Sequence, residues 1–290
     1  MRFADIGQQL RAYRLESGLR AEEIAARLGV SRAALYRYEK GEVIKLDTIR
    51  RLAELLKISP LSLLGIGVEY FARPIAFMER LRQVEEQADQ LLLVGGALCY
   101  QVTTDAFDGA VGEAWTEAAD GTTDRLQARA SADQGLGLLA ARKRLYQARK
   151  PTIIAILGEA ALRRFLVEGV AAGLTVPERT RQRCIAAARS EAEALANMIE
   201  SAPIGVQIGL AAGVEPNGGF MLLRGRDRAH VISSPFPTDT PPNGGLGVGS
   251  ITAADEAVAA HQRVAEAAWR NALKGAPAAA RVRELIKAVG

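Results

Sequence analysis

Three glycines, Gly18, Gly29 and Gly41, divide the start of the chain into short lengths. Around them apolar residues recur at helical spacing. Ile6, Leu10 and Tyr13 do so in DIGQQLRAYRLES (5–17), and Ile24, Ala25 and Leu28 in RAEEIAARL (20–28). Ala34, Leu35 and Tyr38 follow Ser31, a residue suited to capping a third helix. Glycine just past a helix end supplies the left-handed residue that stops it. LDTIRRLAELLKIS (46–59) and PLSLLG (60–65) add a fourth, amphipathic helix and a fifth, short one. The expectation is a small all-α domain of five helices over residues 1–66.

Charge is unevenly placed. Residues 1–66 hold 12 Lys/Arg and 8 Asp/Glu, so the net charge of +4 of the 290-residue chain resides there and the remainder balances at zero. A basic head on a neutral body is the electrostatic footprint of a nucleic-acid reader. Hydrophobic content of 49% allows a sizeable core in roughly two domains. No apolar run approaches the ~18–20 residues of a membrane span, and the N-terminus has no signal-peptide core. Two distant cysteines, Cys99 and Cys184, suit a reducing cytoplasm rather than a disulfide scaffold. A cytoplasmic protein is expected.

GVSRAALYRYEKG (29–41) gathers Arg32, Arg37, Lys40 and two tyrosines on one short helix. Ala25 is small enough to let two helices approach, Gly29 allows the turn, and Val30 and Leu35 hold the second helix across the first. The stretch GLRAEEIAARLGVSRAALYRYEKGEVIKLDTIRRLAELLKISPLSLL resembles the Cro/repressor-like (XRE) family of five-helix helix-turn-helix domains, over about residues 5–66. The resemblance implies that the helix after Ser31 enters the major groove, N-terminal end first. Arg32, Ala33, Tyr36 and Arg37 would then face base edges or the adjoining sugar-phosphate, with Ser31 at the entry. Lys40 and Lys45 would contact phosphates, which position without specifying. The family usually opens its first motif helix with Ser/Thr then Gln; here Arg20 and Ala21 stand there, and Arg20 replaces the phosphate contact by charge. Arg14 and Glu39 match a family pair that ties the first helix to the recognition helix.

The rest alternates helices and strands. FARPIAFMERLRQVEEQADQ (71–90) reads as a charged connector helix, making 67–90 a connector and 91–290 a second domain. QLLLVGG (90–96) and PTIIAIL (151–157) are continuous apolar runs suited to buried strands. TTDRLQARAS (122–131) reads as an edge strand or loop and 132–150 as a basic helix. Residues 159–173 and 177–201 read as helices, the second with Pro177 in its first turn. GVQIGLA (205–211), GFMLLRG (219–225) and AHVISS (229–234) are strands, followed by a Pro/Gly-rich loop (235–249) and helices over 252–274 and 276–289. Thr252 and Asp255 read as a capping box. An α/β domain with a mixed sheet flanked by helices is expected.

PTIIAILGEAALRR and GVQIGLAAG…GGFMLLRGRDRAHVI are similar to the uncharacterised domain that follows such heads in many actinobacterial regulators, itself similar to a degenerate phospholipase D-like fold. That resemblance covers about 150–235. Enzymes of that type use His-x-Lys, whereas Val231 and Ile232 follow His230, and Gln262 and Arg263 follow His261. No nucleophile–base set or metal spacing is visible elsewhere. No enzyme activity, cofactor or metal is expected. GGLGVGSIT (244–252) lacks the lysine of a phosphate loop.

A large body without a catalytic set, attached to a DNA reader, biases the geometry of that reader. The leading expectation is a homodimeric repressor that reads a palindromic operator on double-stranded DNA, its heads about one helical turn (~34 Å) apart. A small-molecule effector bound in the body would control it. The alternatives are a constitutive repressor whose body only oligomerises, or a DNA-tethered, hydrolase-like enzyme. Ligands of open α/β sheets sit beyond the carboxyl ends of the strands. That places the effector near Gly95, Gly96, Gly158, Glu159 and Ser233, with Trp115, Arg163 and Arg164 as further candidates.

Overall fold

The computed structural model describes residues 3–64, 67–213, 216–239, 241–242 and 245–289. The expected domain boundary at residue 66 and the first glycine of the 244–252 stretch lie outside the described residues. The N-terminal helices are α1 (Phe3–Ser17), α2 (Ala21–Leu28), α3 (Arg32–Glu39), α4 (Leu46–Leu56) and α5 (Pro60–Leu63). Their apolar stripes converge on Leu10, Ile24, Leu35, Leu52 and Leu63, all fully buried.

The remaining chain builds one mixed sheet among the described residues. Its strands are β1 (Val68–Phe71), β2 (Ala88–Val94), β3 (Thr152–Gly158), β4 (Val206–Ala211), β5 (Phe220–Gly225), β6 (Ala229–Ser233), β7 (Gly249–Thr252) and β8 (Leu273–Lys274). The spatial order is β1-β7-β6-β5-β2-β3-β4-β8. β2, β3 and β4 run parallel, and the other ladders are antiparallel. The helices are α6 (Pro74–Gln87), α7 (Asp105–Asp120), α8 (Arg125–Arg149), α9 (Glu159–Glu168), α10 (Glu178–Ser201), α11 (Asp255–Asn271) and α12 (Gly275–Val289). Among the described residues α11 alone covers one face, over Leu92, Val94, Ile156, Leu222 and Val231. The other helices lie on the opposite side, over Leu91, Ile153, Ala155, Leu157 and Leu223. Alternate residues of β2 and β3 thus serve opposite layers, so Leu91–Val94 and Ile153–Leu157 are continuously apolar.

The expected connector over 67–90 is corrected. β1 joins the sheet edge, pairing Val68–Phe71 with Thr252–Gly249. α6 is buried from Ala76 to Leu81 and again at Gln83–Glu85, charged residues included. Burial of those charges is tolerated because they are paired. Arg80 grips Glu69 through Nε (2.7 Å) and a second nitrogen (2.8 Å), and Gln9 of α1 donates to the same carboxylate at 3.2 Å. Glu16 of α1 accepts from the Ala72 and Arg73 N–H groups at 2.7 and 2.9 Å, an anion at the start of α6. Head and body therefore share one continuous core, in which Ile6, Leu10 and Tyr13 join Phe71 and Phe77.

Other expectations shift locally. Residues 125–131 are the first turns of α8 rather than an edge strand or loop. The helix buries Ala128, Ala132, Gly135 and Leu139, a stripe of mostly small residues at helical spacing. Pro177 is the N-cap of α10 rather than a residue of its first turn. The Thr252–Asp255 capping box does not form. Ala254 is the N-cap of α11, and Thr252 lies in β7, its hydroxyl donating to Gly67 O at 3.0 Å and accepting from Ala254 N.

Candidate functional site

α2, the turn and α3 are held by local chemistry. Gly29 takes the left-handed conformation (φ 71°), and Val30 N–H returns to Ala25 O at 3.0 Å. Ser31 Oγ accepts from Ala34 N at 3.0 Å, capping α3. Ala25, Leu28 and Leu35 are buried in the angle between the helices. α1 crosses α3 closely: a Cβ on Gly7 would lie 2.5 Å from Tyr38 O. Arg14 Nε meets Glu39 Oε1 at 2.6 Å and its terminal nitrogen meets Oε2 at 3.1 Å, with side chains 15% and 6% exposed. The pair expected between Arg14 and Glu39 is in place, and it is two-pronged.

Arg20, Ser31, Arg32, Ala33, Arg37, Lys40 and Lys45 are all exposed, and Tyr36 is half-buried against the head core. They form one basic, solvent-facing surface on α3 and its flanks. Lys45 is the N-cap of α4. Two carboxylates not foreseen from the sequence stand among them. Glu22 meets Arg32 at 2.6 Å, and the same guanidinium donates to the Tyr36 hydroxyl at 3.1 Å. Glu42 meets Arg37 Nε at 3.1 Å. No local spacing rule signals Glu22, because its pair with Arg32 spans the turn. Val43 and Leu46, 70% and 76% exposed, flank the same surface.

The body residues expected at the strand ends divide. Gly95 and Gly96 leave β2 and stitch to β3: Gly95 N–H donates to Ile156 O (2.8 Å), and Gly158 N–H to Gly96 O (3.0 Å). Ser233 ends β6 opposite Ser250. Glu159 is turned to a separate, open face, where Arg281 holds it at 2.6 and 3.0 Å beside Arg163 and Arg164. Trp115 sits in the core. It is fully buried, with its indole N–H donating to Asp239 O at 2.7 Å.

Two adjoining hollows occupy the strand ends. A cavity of about 90 Å³ lies between α6, β2, β5 and residues 234–241, walled by Phe77, Met78, Leu81, Leu93 and Met221 with Arg142 at its edge. A second, of about 290 Å³, is bounded by Gly96, Phe107, Phe165 and Asp239. They share Leu98, Tyr100, Phe236, Pro237 and Thr238. Together they reach the low end of the ~300–1,000 Å³ of small-molecule sites. The Arg142 guanidinium is bound twice by Glu85, at 2.8 and 2.7 Å. Lys143 binds Asp108 at 2.5 Å and the carbonyls of Thr103 and Thr104.

A run of rings leads from these hollows to the head. Phe236 packs on Phe77 (5.5 Å between centroids), Phe77 on Phe71 (6.4 Å), and Phe71 stacks on Tyr13 of α1 (5.5 Å). Elsewhere, burial pushes the Cys99 thiol up to about 12 and raises that of Cys184 as well, which suppresses thiolate chemistry at both. His261 packs edge-on against Phe220. Among the described residues no group of three or more His, Cys, Asp or Glu is placed to hold a metal, and no helix is long and apolar enough to cross a membrane.

Residues 5–63 match the family model described as a helix-turn-helix domain. The head is thus a helix-turn-helix domain, a DNA-binding module, and DNA is its partner. No curated protein matches the chain. Among solved structures, an archaeal chromatin protein, TrmBL2, whose structure is described as showing a novel mode of DNA binding, aligns over 91% of this chain and 92% of its own. The identity is 11% and the TM-score 0.33, too low to assign a shared fold.

Proposed function

We propose that the protein is a homodimeric transcriptional regulator of the Cro/repressor type, acting as a repressor at a palindromic operator. A small molecule bound at the strand ends of the body controls it. The body serves as a sensor and dimerisation unit rather than an enzyme, in line with its resemblance to a degenerate phospholipase D-like domain that lacks the His-x-Lys pair. Arg32 and Arg37 read base edges, Ala33 and Tyr36 line the groove, and Arg20, Ser31, Lys40 and Lys45 hold the backbone.

The observation that carries effector control is the unbroken contact between hollow and head. Phe236 walls both hollows, and the rings of Phe77, Phe71 and Tyr13 continue from it into α1. Arg14 then joins α1 to α3 through Glu39. A ligand that favours one position of Phe236 over another biases the setting of the recognition helix by its differential affinity. Selection of bound sequences from a random duplex library, followed by mass measurement of the complex, tests the DNA half of the reading. The expected result is an inverted repeat holding two chains per duplex. A single half-site holding one chain overturns the palindromic dimer.

A further inference from the structure

The larger hollow carries an uncompensated charge. Asp239 stands in its wall, its Oδ2 accepting from Ala171 N–H at 2.8 Å and its backbone oxygen pinned by Trp115. Among the described residues no cation pairs with this carboxylate. Its neighbours differ: Glu85 is matched by Arg142 and Asp108 by Lys143. Burial raises the Asp239 carboxyl above its ordinary value of 3.8, opposed by the N–H groups of Ala171 and of its own backbone, and no neighbouring cation lowers it. A carboxylate held this way is costly until a cation arrives. The other walls are rings: Phe107 and Phe165 lie 6.3 Å apart, and Phe236 closes the side toward the smaller cavity. Aromatic faces attract cations, and more strongly where water is excluded. Beyond Phe236 the smaller cavity is walled mainly by apolar side chains and suits a hydrocarbon tail.

We propose that the hollow binds an organic ammonium ion, its nitrogen against Asp239 among Phe107, Phe165 and Phe236, with an apolar portion reaching toward Leu93 and Met221. The inference names the ligand class for the effector reading above and rests on it for its regulatory meaning, while the binding itself is independent of DNA. An anion is disfavoured, because the two nearby cations are already neutralised and Asp239 repels it. A neutral molecule fills the space and leaves Asp239 unpaired.

Calorimetry on the full chain tests this with three probes of one shape: 2-phenylethylammonium, 2-phenylethanol and phenylacetate. Benzyltrimethylammonium serves as a second cation. The expected result is that at least one cation binds tenfold or more tighter than the alcohol, about 1.4 kcal/mol, with phenylacetate weakest. In Asp239→Asn the cation should fall to the level of the alcohol, whose retained binding shows that the variant is folded. Phe107→Leu should weaken the cation more than the alcohol. Failure of both cations to bind, equal affinity for alcohol and cation, or a preference that survives Asp239→Asn overturns the site. Cation binding that leaves DNA affinity unchanged keeps the site and removes effector control.

Discussion

Tyr13 of α1 stacks on Phe71 of β1 with ring centroids 5.5 Å apart and planes 19° from parallel, both rings almost wholly buried. The pair joins the first helix of the helix-turn-helix domain to the edge strand of the sheet. Gln9, Glu69 and Arg80 close the same junction with a buried hydrogen-bonded network. Head and body are accordingly expected to unfold together. Phe71→Ala should cost ~3–5 kcal/mol and keep a single calorimetric transition in the full chain. Two separated transitions in the unmodified protein would show that the junction does not couple the parts.

Arg14 and Glu39 are a second bond between elements distant in sequence. Both side chains are largely shielded, so removing one partner strands the other. Glu39→Ala should cost about 3 kcal/mol in urea unfolding, the low end of the range for breaking a buried pair, and should be little relieved by salt. A loss below half a kcal/mol would place the pair among solvated contacts.

On the proposed DNA surface Arg32 is held by Glu22 and Tyr36. An exposed pair of this kind is worth only ~0–1 kcal/mol, so Arg32 can leave Glu22 for a guanine edge at small cost. Arg32→Ala should lose ~1–3 kcal/mol at one base pair and relax preference there. Glu22→Gln should instead tighten binding to all sequences. Binding titrations across a salt series distinguish the two, since Lys45→Ala and Glu22→Gln move general affinity whereas Arg32→Ala moves sequence preference. Unchanged preference in Arg32→Ala removes its base-reading role.

Asp239 makes stability depend on pH. Its folded pKa is raised, so the folded chain holds the proton more tightly than the unfolded chain between the two values. Stability linked to this group is complete below the ordinary carboxyl value of 3.8 and is lost as pH rises through the folded value. Asp239→Asn should therefore melt higher than the parent near neutral pH, with the difference vanishing in acid. Parallel melting curves across pH would show the carboxylate to be satisfied by groups other than a ligand.

Much of the head was legible because its signals are local. Gly29, Ser31 and the apolar spacing around Leu35 each act within a few residues, and Arg14 with Glu39 followed from the resemblance. β2 and β3 were legible as apolar runs. α6 was misread as a connector because its charges find partners off the helix, Arg80 in Glu69 of β1, Glu79 in Arg11 of α1 and Glu85 in Arg142 of α8, and no helical spacing reveals them. The start of α8 hid behind a stripe of alanine and glycine. Asp239 carried no signal at all. A lone aspartate in a proline-rich loop becomes distinctive only when Trp115, Ala171 and the rings of Phe107 and Phe165 gather round it.

The ring series from Phe236 to Tyr13 makes the last prediction. Linkage requires reciprocity: if bound 2-phenylethylammonium weakens operator binding tenfold, operator must weaken the amine tenfold, about 1.4 kcal/mol of coupling. Phe77 is the middle of the series, touching Phe236 on one side and Phe71 on the other. Its ring also lies against Gly249 of β7, where a Cβ would approach to 2.5 Å. Phe77→Leu keeps an apolar residue in the core but removes the ring contact on both sides. The amine and the operator should then each bind with nearly parental affinity when alone, while the factor by which either weakens the other falls toward one. Four calorimetric titrations decide it, parent and variant, with and without operator. Coupling that stays tenfold in Phe77→Leu would mean that the signal reaches α1 through the Glu69–Arg80–Gln9 network instead.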